Sequence, residues 1–199
     1  MKIILNILPF LILIASCTNA KETKPLEAKP VVDKKRTYTD SIIDLATISY
    51  AKYQKILSTR RVIIVDFTRP METKRLFLVD LDSNKIIKST KVCHGRGSGM
   101  TSVPTNFSNQ VDSKKSSIGY MITAESYYGS FGYSMRVDGL EPSNNNIRKR
   151  AIVFHSSEVQ STAWSWGCFS MPEKDCKEII NLTKNGSLMY VFSNWQETK

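Results

Sequence analysis

A cysteine and a histidine in the last third of the chain have the types and spacing of a thiol nucleophile and its base. Cys168 ends the run Ala163-Trp-Ser-Trp-Gly-Cys168, and its neighbour Gly167 allows another backbone or a substrate to approach closely. His155 ends the apolar run Ala151-Ile-Val-Phe-His155. A thiol needs a base to form a thiolate at neutral pH, and histidine is the ordinary one. The two side chains can meet across a loop; a structural thiol and a hydrogen-bonded histidine are the alternative.

The second histidine opens a glycine-rich loop, His94-Gly-Arg-Gly-Ser-Gly99. Such loops can cradle phosphate, but this one lacks the Gly-Lys-Thr of a Walker motif and is followed by no helical pattern. Only two histidines are present, which argues against a histidine-rich metal site. We interpret the loop as part of a substrate cleft lined by His94, Gly95, Arg96 and Ser98; a tight structural turn is the alternative.

The N-terminus predicts export. Lys2 precedes an apolar run, Ile3 to Ala15, which would rise roughly 20 Å as a helix and so falls short of a ~30 Å hydrocarbon core. This is typical of a signal peptide. The following Ile14-Ala15-Ser16-Cys17 resembles the lipobox of bacterial lipoproteins, which implies a signal peptide at 1–16 and an acylated Cys17. An ordinary signal peptide ending at Ala20 is the alternative.

Residues 17–36 then read as a flexible tether with two prolines, and 37–199 as one folded domain. The residue after Cys17 is Thr rather than Asp, so we expect an anchor at the periplasmic face of the outer membrane. The chain has 199 residues, with 28 Lys and Arg against 18 Asp and Glu, a net charge of +10. This charge favours an anionic partner. Export, and the lack of any basic and aromatic nucleic-acid module, argue against nucleic acid.

Cysteines of exported proteins are usually paired. If Cys17 is lipidated, three thiols remain, so at least one is free or pairs with another chain. A disulfide between Cys93 and Cys176 would leave Cys168 free, as a nucleophile must be.

The residue patterns predict a mainly β domain with a helix near each end. Caps at Thr39 to Ser41 precede helical spacing that runs to Leu57, and Pro172 and Asn185-Gly186 bracket a second helix at Glu173 to Lys184. From Arg61, β-branched runs joined by short turns predict an antiparallel meander. We expect strands at 61–68, 75–81, 85–93, 118–123, 134–137, 150–155 and 187–193, and a functional loop at 95–117.

The pattern His155-Ser156 followed by Ser165-Trp-Gly-Cys168 resembles the active-site signature of the L,D-transpeptidase family, the YkuD-like catalytic domain, and more narrowly its murein branch with Ser-Trp-Gly-Cys. Further blocks between Arg61 and Phe192 resemble that branch in the same order, among them Asn106-Phe-Ser-Asn109 and Glu125-Ser-Tyr-Tyr-Gly129. The resemblance implies a mainly β (α+β), sandwich-like or barrel-like domain that needs no metal or nucleotide cofactor.

The resemblance also implies a role for each site residue. Cys168 is the nucleophile and His155 the general base, the backbone carbonyl of Ser156 orients the imidazole, and N–H groups around Gly167 and Cys168 form an oxyanion hole. The implied reaction is a two-step acyl transfer on peptidoglycan stem peptides. The thiolate attacks the peptide bond after an L-centre and releases D-Ala, and an amine of a neighbouring stem takes the acyl group.

Two positions depart from the wider family. Trp166 stands two residues before the cysteine, where His is usual, and we place it among the substrate-binding residues. Ser170 stands two residues after it, where Arg or Asn is common, so the charge that binds a carboxylate would come from Arg136, Arg148 or Arg150.

Other functions remain open on sequence. If water takes the acyl group, the same site is an L,D-carboxypeptidase or an amidase. A lipoprotein that ties the envelope to peptidoglycan without catalysis is the alternative from another class. Because His155 and Cys168 both stand at their matched positions, the sequence favours the enzyme.

Overall fold

The computed structural model describes residues 36–157 and 164–194 as a mainly β fold. Its two helices are α1 (Tyr38–Tyr53) and α2 (Glu173–Thr183). Its strands are β1 (Arg61–Asp66), β2 (Leu76–Asp80), β3 (Lys85–Thr90), β4 (Gly119–Gly129), β5 (Gly132–Gly139), β6 (Val153–Ser156), β7 (Phe169–Met171) and β8 (Leu188–Phe192). Short 3-10 turns lie at Gln54–Ile56 and Arg96–Ser98. The predicted mainly β class, with one helix before and one near the end of the strands, is confirmed.

All eight strands belong to one curled sheet, a half-barrel, in the order β3-β2-β1-β8-β4-β5-β6-β7. The predicted antiparallel meander holds for β1, β2 and β3. Two pairs are parallel instead: β1 with β8, and β6 with β7. Parallel partners are joined by long connections, so short turns in the sequence do not reveal them.

The two faces of the sheet are covered by different helices. Successive side chains of a strand point to opposite faces, so β1 sends Val62 and Ile64 towards α1 and Ile63 and Val65 towards the core that contains α2. The α1 side is the smaller cluster, and the larger one carries most of the buried phenylalanine side chains and all of the buried methionine side chains of the two clusters. The site-bearing strands β6 and β7 therefore rest on the larger core.

The helices begin and end at residues with clear local causes. Thr37 caps α1, where its hydroxyl accepts from the Asp40 N–H at 3.2 Å and the Asp40 carboxylate accepts from the Thr37 N–H at 2.8 Å. This reciprocal cap starts the helix earlier than we predicted from Thr39 to Ser41. Pro172 precedes α2, and Asn185 and Gly186 end it with φ of 65° and 116°.

The segment that contains the glycine-rich loop bonds to Ser170 on the outer side of β7 and pairs with Ser165 in the turn before it. The Cys93 N–H donates to Ser170 O at 2.9 Å, the Ser165 N–H to His94 O at 2.9 Å, and the Arg96 N–H to Ser165 O at 2.8 Å. We had predicted no strand at β7, because three residues give no readable alternation. This pairing joins the glycine-rich loop to the segment that leads into Cys168.

Within residues 36–157 and 164–194, no helix has the length and apolar character needed to span a membrane. The predicted signal peptide, the lipidation site at Cys17 and nearly all of the tether lie outside the described residues.

Candidate active site

The register of β6 and β7 brings Cys168 and His155 to one face of the sheet. Phe154 lies opposite Phe169, and His155 opposite Ser170. Continued by one residue, the register sets Cys168 opposite Val153. Cys168 and His155 are then diagonal neighbours, a placement that long side chains can bridge. The fold therefore places these two residues on the same face of the sheet, on neighbouring strands.

Burial and two polar groups act on the thiol in opposite directions. Burial raises the pKa of Cys168, while the backbone N–H of Val153 and the guanidinium of Arg150 favour the thiolate less strongly. The sulfur contacts Ala151 O at 3.6 Å and makes no hydrogen bond to the imidazole of His155. The balance of these influences favours the neutral thiol at neutral pH.

The imidazole has a defined tautomer. His155 Nδ1 lies 2.7 Å from Ser156 O, and because a carbonyl only accepts, Nδ1 carries the proton. Nε2 is left with its lone pair and can take a proton. Burial lowers the pKa of His155, against the hydrogen bond to Ser156, so the ring is neutral near pH 7. The predicted orienting carbonyl thus lies in hydrogen-bond contact with the imidazole.

An aromatic ring that sequence analysis missed covers the imidazole. Phe131 stacks on His155 with ring centroids 4.4 Å apart and planes at 26°. It lies in the turn between β4 and β5, flanked by Gly129 and Gly132. A large exposed aromatic between two glycines was a usable signal, because such turns usually hold small polar residues.

Arg150 fixes the long polar loop behind the thiol. One terminal nitrogen donates to Ser108 O and Ser117 Oγ, and the other to Ser113 Oγ and Lys115 O. We had predicted Arg150 to bind substrate; in this structure its donors are directed to the protein. Its positive charge still acts on Cys168 through space.

Two glycines let the backbones near Cys168 converge. An added Cβ at Gly167 would lie 2.8 Å from Lys115 O, and one at Gly95 would lie 2.4 Å from Lys114 O. Gly167 also has φ of 118°, a conformation that side chains disfavour. The Gly167 N–H donates to Ser165 Oγ at 3.0 Å. This predicted oxyanion donor is therefore already used in a hydrogen bond within the turn.

His94 lies inside the protein rather than facing the cleft. Its side chain is fully buried; Nδ1 accepts from the Arg75 guanidinium at 2.9 Å, and Nε2 donates to Gly99 O at 2.9 Å. Burial lowers the pKa of His94 to about 4. Ser98 is also buried, where its Oγ accepts from the Ser116 N–H at 2.8 Å. These two predicted substrate-binding side chains support the loop from below.

Trp166 forms an exposed rim beside the site. Its side chain is 68% exposed, with the guanidinium carbon of Arg96 at 5.5 Å and Lys114 Nζ at 5.1 Å from the ring centroid. In the described part of the chain, neither cation forms an ion pair. Sequence analysis predicted Arg96 and Trp166 and missed Lys114, because nothing in the pattern near Lys114 shows that it reaches Trp166.

The other predicted cations are paired. Arg136 lies 3.3 Å from Glu125, and Arg148 contacts both Glu125 at 2.8 Å and Asp138 at 2.5 Å. Arg136 and Arg148 are therefore neutralised by carboxylates of β4 and β5, whereas Arg96 is not.

Cys93 and Cys176 are free thiols in this structure, so the possible disulfide between them is not formed. Burial raises the pKa of Cys176 to about 12, which makes it an unreactive core residue. Across 36–157 and 164–194, no cluster of three His, Cys, Asp or Glu side chains could hold a metal ion.

The chain is similar to known L,D-transpeptidases. Solved structures that match include an Enterococcus faecium L,D-transpeptidase (15% identity, TM-score 0.45, 68% of this chain and 50% of that one) and a Bdellovibrio bacteriovorus protein (16%, 0.46, 67% and 48%). A Mycobacterium smegmatis L,D-transpeptidase is 11% identical, with a TM-score of 0.42 and coverage of 67% and 59%. The chain thus spans about half the length of the first two structures. No curated protein matches it.

The family model described as the L,D-transpeptidase catalytic domain matches residues 34–192. That range contains every described strand and both helices. The chain therefore belongs to the L,D-transpeptidase catalytic-domain family.

Proposed function

We propose that this protein is a cysteine-dependent L,D-transpeptidase that acts on peptidoglycan stem peptides through a Cys168 acyl-enzyme. One observation carries the proposal: Cys168 and His155 share a face of the sheet, and Ser156 O fixes the tautomer that leaves Nε2 free to accept a proton. Family membership supports the reaction class, and the placement of Cys168 and His155 supports the roles that we propose for them.

The first step is acylation. As the Cys168 sulfur attacks the scissile carbonyl carbon, His155 Nε2 takes the thiol proton and the carbonyl becomes an oxyanion. The Cys168 N–H is our proposed donor to that oxyanion. The intermediate collapses to a thioester, and the imidazolium gives its proton to the departing amine. Arg150 and the Val153 N–H stabilise negative charge on the sulfur as it develops and as it leaves.

The second step transfers the acyl group. The amine of a neighbouring stem attacks the thioester, His155 removes the proton from that amine, and Cys168 leaves and is reprotonated. One amide is broken and one is formed, so no oxidant, reductant or nucleotide is consumed. Water in place of the amine would give a trimmed stem instead of a cross-link.

The charge around the site suits an anionic substrate. Arg96 and Lys114 flank Trp166 with no carboxylate partner in the described residues, and the whole chain carries +10. Unpaired cations attract the free carboxylates of stem peptides and orient them.

The nucleophile is tested by mass spectrometry after reaction with a carbapenem. Wild type and Cys93→Ser should gain one drug mass on the Cys168 peptide, and Cys168→Ala should gain none. His155→Ala should lower the acylation rate about 10²-fold or more, because a general base is lost. An adduct that persists in Cys168→Ala would overturn the assignment.

The outcome in the cell is tested by muropeptide digests. Cells with wild-type protein should contain cross-links between two diamino acids that are absent with Cys168→Ala. Trimmed stems without such cross-links would identify a carboxypeptidase. No difference between the two strains would favour the non-catalytic lipoprotein.

We further propose that Cys17 is acylated and anchors the domain at the periplasmic face of the outer membrane. The lipobox-like residues before it support this, and a tether from Thr18 to Arg36 would reach roughly 65 Å when extended, at ~3.5 Å per residue. Cys17→Ser should incorporate no labelled palmitate and should accumulate as precursor or soluble protein. A wild-type protein that starts at Lys21 and is water-soluble would contradict the anchor.

A further inference from the structure

The tip of the β4–β5 hairpin lies directly on the imidazole of His155. Gly129 pairs with Gly132, so the turn between them holds only Ser130 and Phe131. The Phe131 ring is 61% exposed, whereas His155 beneath it is 8% exposed. One face of the phenyl ring therefore covers the imidazole while the rest meets solvent.

Ser156 connects the hairpin tip to the imidazole. Its Oγ donates to Phe131 O at 3.3 Å, and its own carbonyl accepts from His155 Nδ1 at 2.7 Å. The imidazole is thus held at one edge by the carbonyl of Ser156 and on one face by the ring of Phe131. Ser156 also forms a hydrogen bond to the backbone of Phe131, so it links the two contacts. An imidazole with free χ2 rotation would lose the direction of Nε2, and these two contacts remove that freedom.

We infer that Phe131 is a positioning residue for acyl transfer, whose ring fixes the plane of the His155 imidazole and excludes water from it. The inference rests on the proposed function for the role of His155, but the stacking geometry stands without it. Phe131 touches the base rather than the thiol, so it acts through His155.

The ring also accounts for the environment of the base. Burial lowers the pKa of His155, and the Ser156 hydrogen bond alone opposes it. The ionisable groups of the elements around His155 include Cys168 before β7, Tyr133 and Arg136 of β5, and Glu173, Cys176 and Lys177 of α2, and none of these is a cause of the lowered pKa of His155. The α2 groups line a cavity of about 210 Å³ that also borders Ser156. The charges of Glu173 and Lys177 in its lining offset each other. Burial, to which the Phe131 ring contributes, is therefore the dominant influence.

The test compares Phe131→Ala with Tyr128→Ala in the full chain. Tyr128 belongs to the same hairpin and is 81% exposed, but its ring contacts Tyr133 rather than His155. Phe131→Ala should lower the rate of carbapenem acylation about tenfold near neutral pH. It should also move the acidic limb of the pH–rate profile to higher pH, because a wetter imidazole is protonated more easily. Tyr128→Ala should change neither the acylation rate nor the pH–rate profile. Phe131→Tyr retains a flat ring and should behave like wild type in both measurements.

A second readout is independent of activity. The NMR titration of the His155 imidazole should shift to higher pH in Phe131→Ala and stay unchanged in Tyr128→Ala. If Phe131→Ala does not fold, Phe131→Leu keeps apolar bulk without a flat ring and should show a smaller shift in the same direction. Equal titrations in Phe131→Ala and wild type would overturn the inference. Failure of wild type to be acylated would instead count against the proposed function.

Discussion

At the residue scale, the proposed catalytic pair is uncharged at rest. Many reactive cysteines are thiolates stabilised by an imidazolium, but here burial raises the pKa of Cys168 and lowers that of His155. Both shifts favour the neutral forms, and the sulfur contacts Ala151 O instead of the ring. In the mechanism that we propose, the proton therefore moves from the sulfur to Nε2 during the attack on substrate.

The charge state of the pair predicts how Cys168 reacts with iodoacetamide. Alkylation should rise steadily with pH to a midpoint above that of an ordinary free thiol, with no plateau near neutral pH, because the thiolate alone reacts. Peptide mass spectrometry at several pH values measures this for Cys168, with Cys93 in the same digest as an internal comparison. A plateau that persists below pH 7 would indicate a thiolate–imidazolium pair and contradict the structure.

Residue types and spacing left Cys168 and His155 open to two interpretations, a catalytic pair or a structural thiol and histidine, and the resemblance of His155-Ser156 and Ser165-Trp-Gly-Cys168 to the family signature selected the first. They were not enough for His94 either. Its ring is buried by Arg75, which lies 19 residues earlier and donates to it. Nothing in the motif His94 to Gly99 shows that partner, so a structural histidine and a cleft histidine look the same on sequence.

At the element scale, three segments converge behind Cys168: the glycine-rich loop, the polar stretch 113–117, and the turn before β7. Arg150 holds the polar stretch, and Gly95 and Gly167 allow it to come within contact of the other two segments. The polar loop that we predicted to be functional thus packs against the two segments that lead into and lie beside Cys168.

This packing predicts that Gly95→Ala harms the site more than the fold. The new Cβ would lie 2.4 Å from Lys114 O, a backbone atom that has to move. We expect a loss of about 1–3 kcal/mol in the free energy of unfolding, as for other overpacked positions. The carbapenem acylation rate should fall by more than the fraction of protein that this loss of stability unfolds. Urea unfolding and acylation kinetics measure the two effects, and Ser83→Ala in a distant exposed turn is the control. Unchanged kinetics in Gly95→Ala would show that the loop does not support the site.

Elements were predictable where the local signal was complete. The α2 helix has its proline start and its Asn-Gly end within the sequence, and β1 and β2 are runs of four consecutive apolar residues. The strand β7 has three residues and a parallel partner 15 positions earlier, so its pairing is a tertiary event. The hairpin of β4 and β5 reaches farther than predicted because polar and aromatic residues replace the apolar alternation beyond Thr123.

At the scale of the whole molecule, burial lowers the pKa of both histidines, so the free energy of unfolding depends on pH in the acidic range. The pKa of His94 is about 4 in the folded protein and near 6.5 when the chain unfolds. Below pH 6.5 the unfolded chain therefore binds protons that the folded protein does not, and stability falls as pH drops towards 4.

We expect the free energy of unfolding to decrease by about 2 kcal/mol between pH 7 and pH 5 on account of His94 alone. Urea titrations at the two pH values measure it, above the range in which most carboxylates titrate. His94→Gln should be less stable at pH 7, because its amide cannot reproduce the positions of both ring hydrogen bonds, to Arg75 and to Gly99 O, and it should show a smaller change with pH. The same pH dependence in His94→Gln as in wild type would place the effect elsewhere.

The occupied outer side of β7 has a consequence for inhibitor design. Ser170 O, Ser165 N and Ser165 O already bond to the segment 93–96, so these backbone groups have no capacity left for an added strand. Extended peptidomimetics, which gain affinity by completing a sheet, depend on such groups. A compact strained electrophile that reacts with the sulfur does not depend on them. Inhibitor design for this protein should therefore start from a small reactive group that modifies the thiol, to which further contacts are added, and not from an extended peptide.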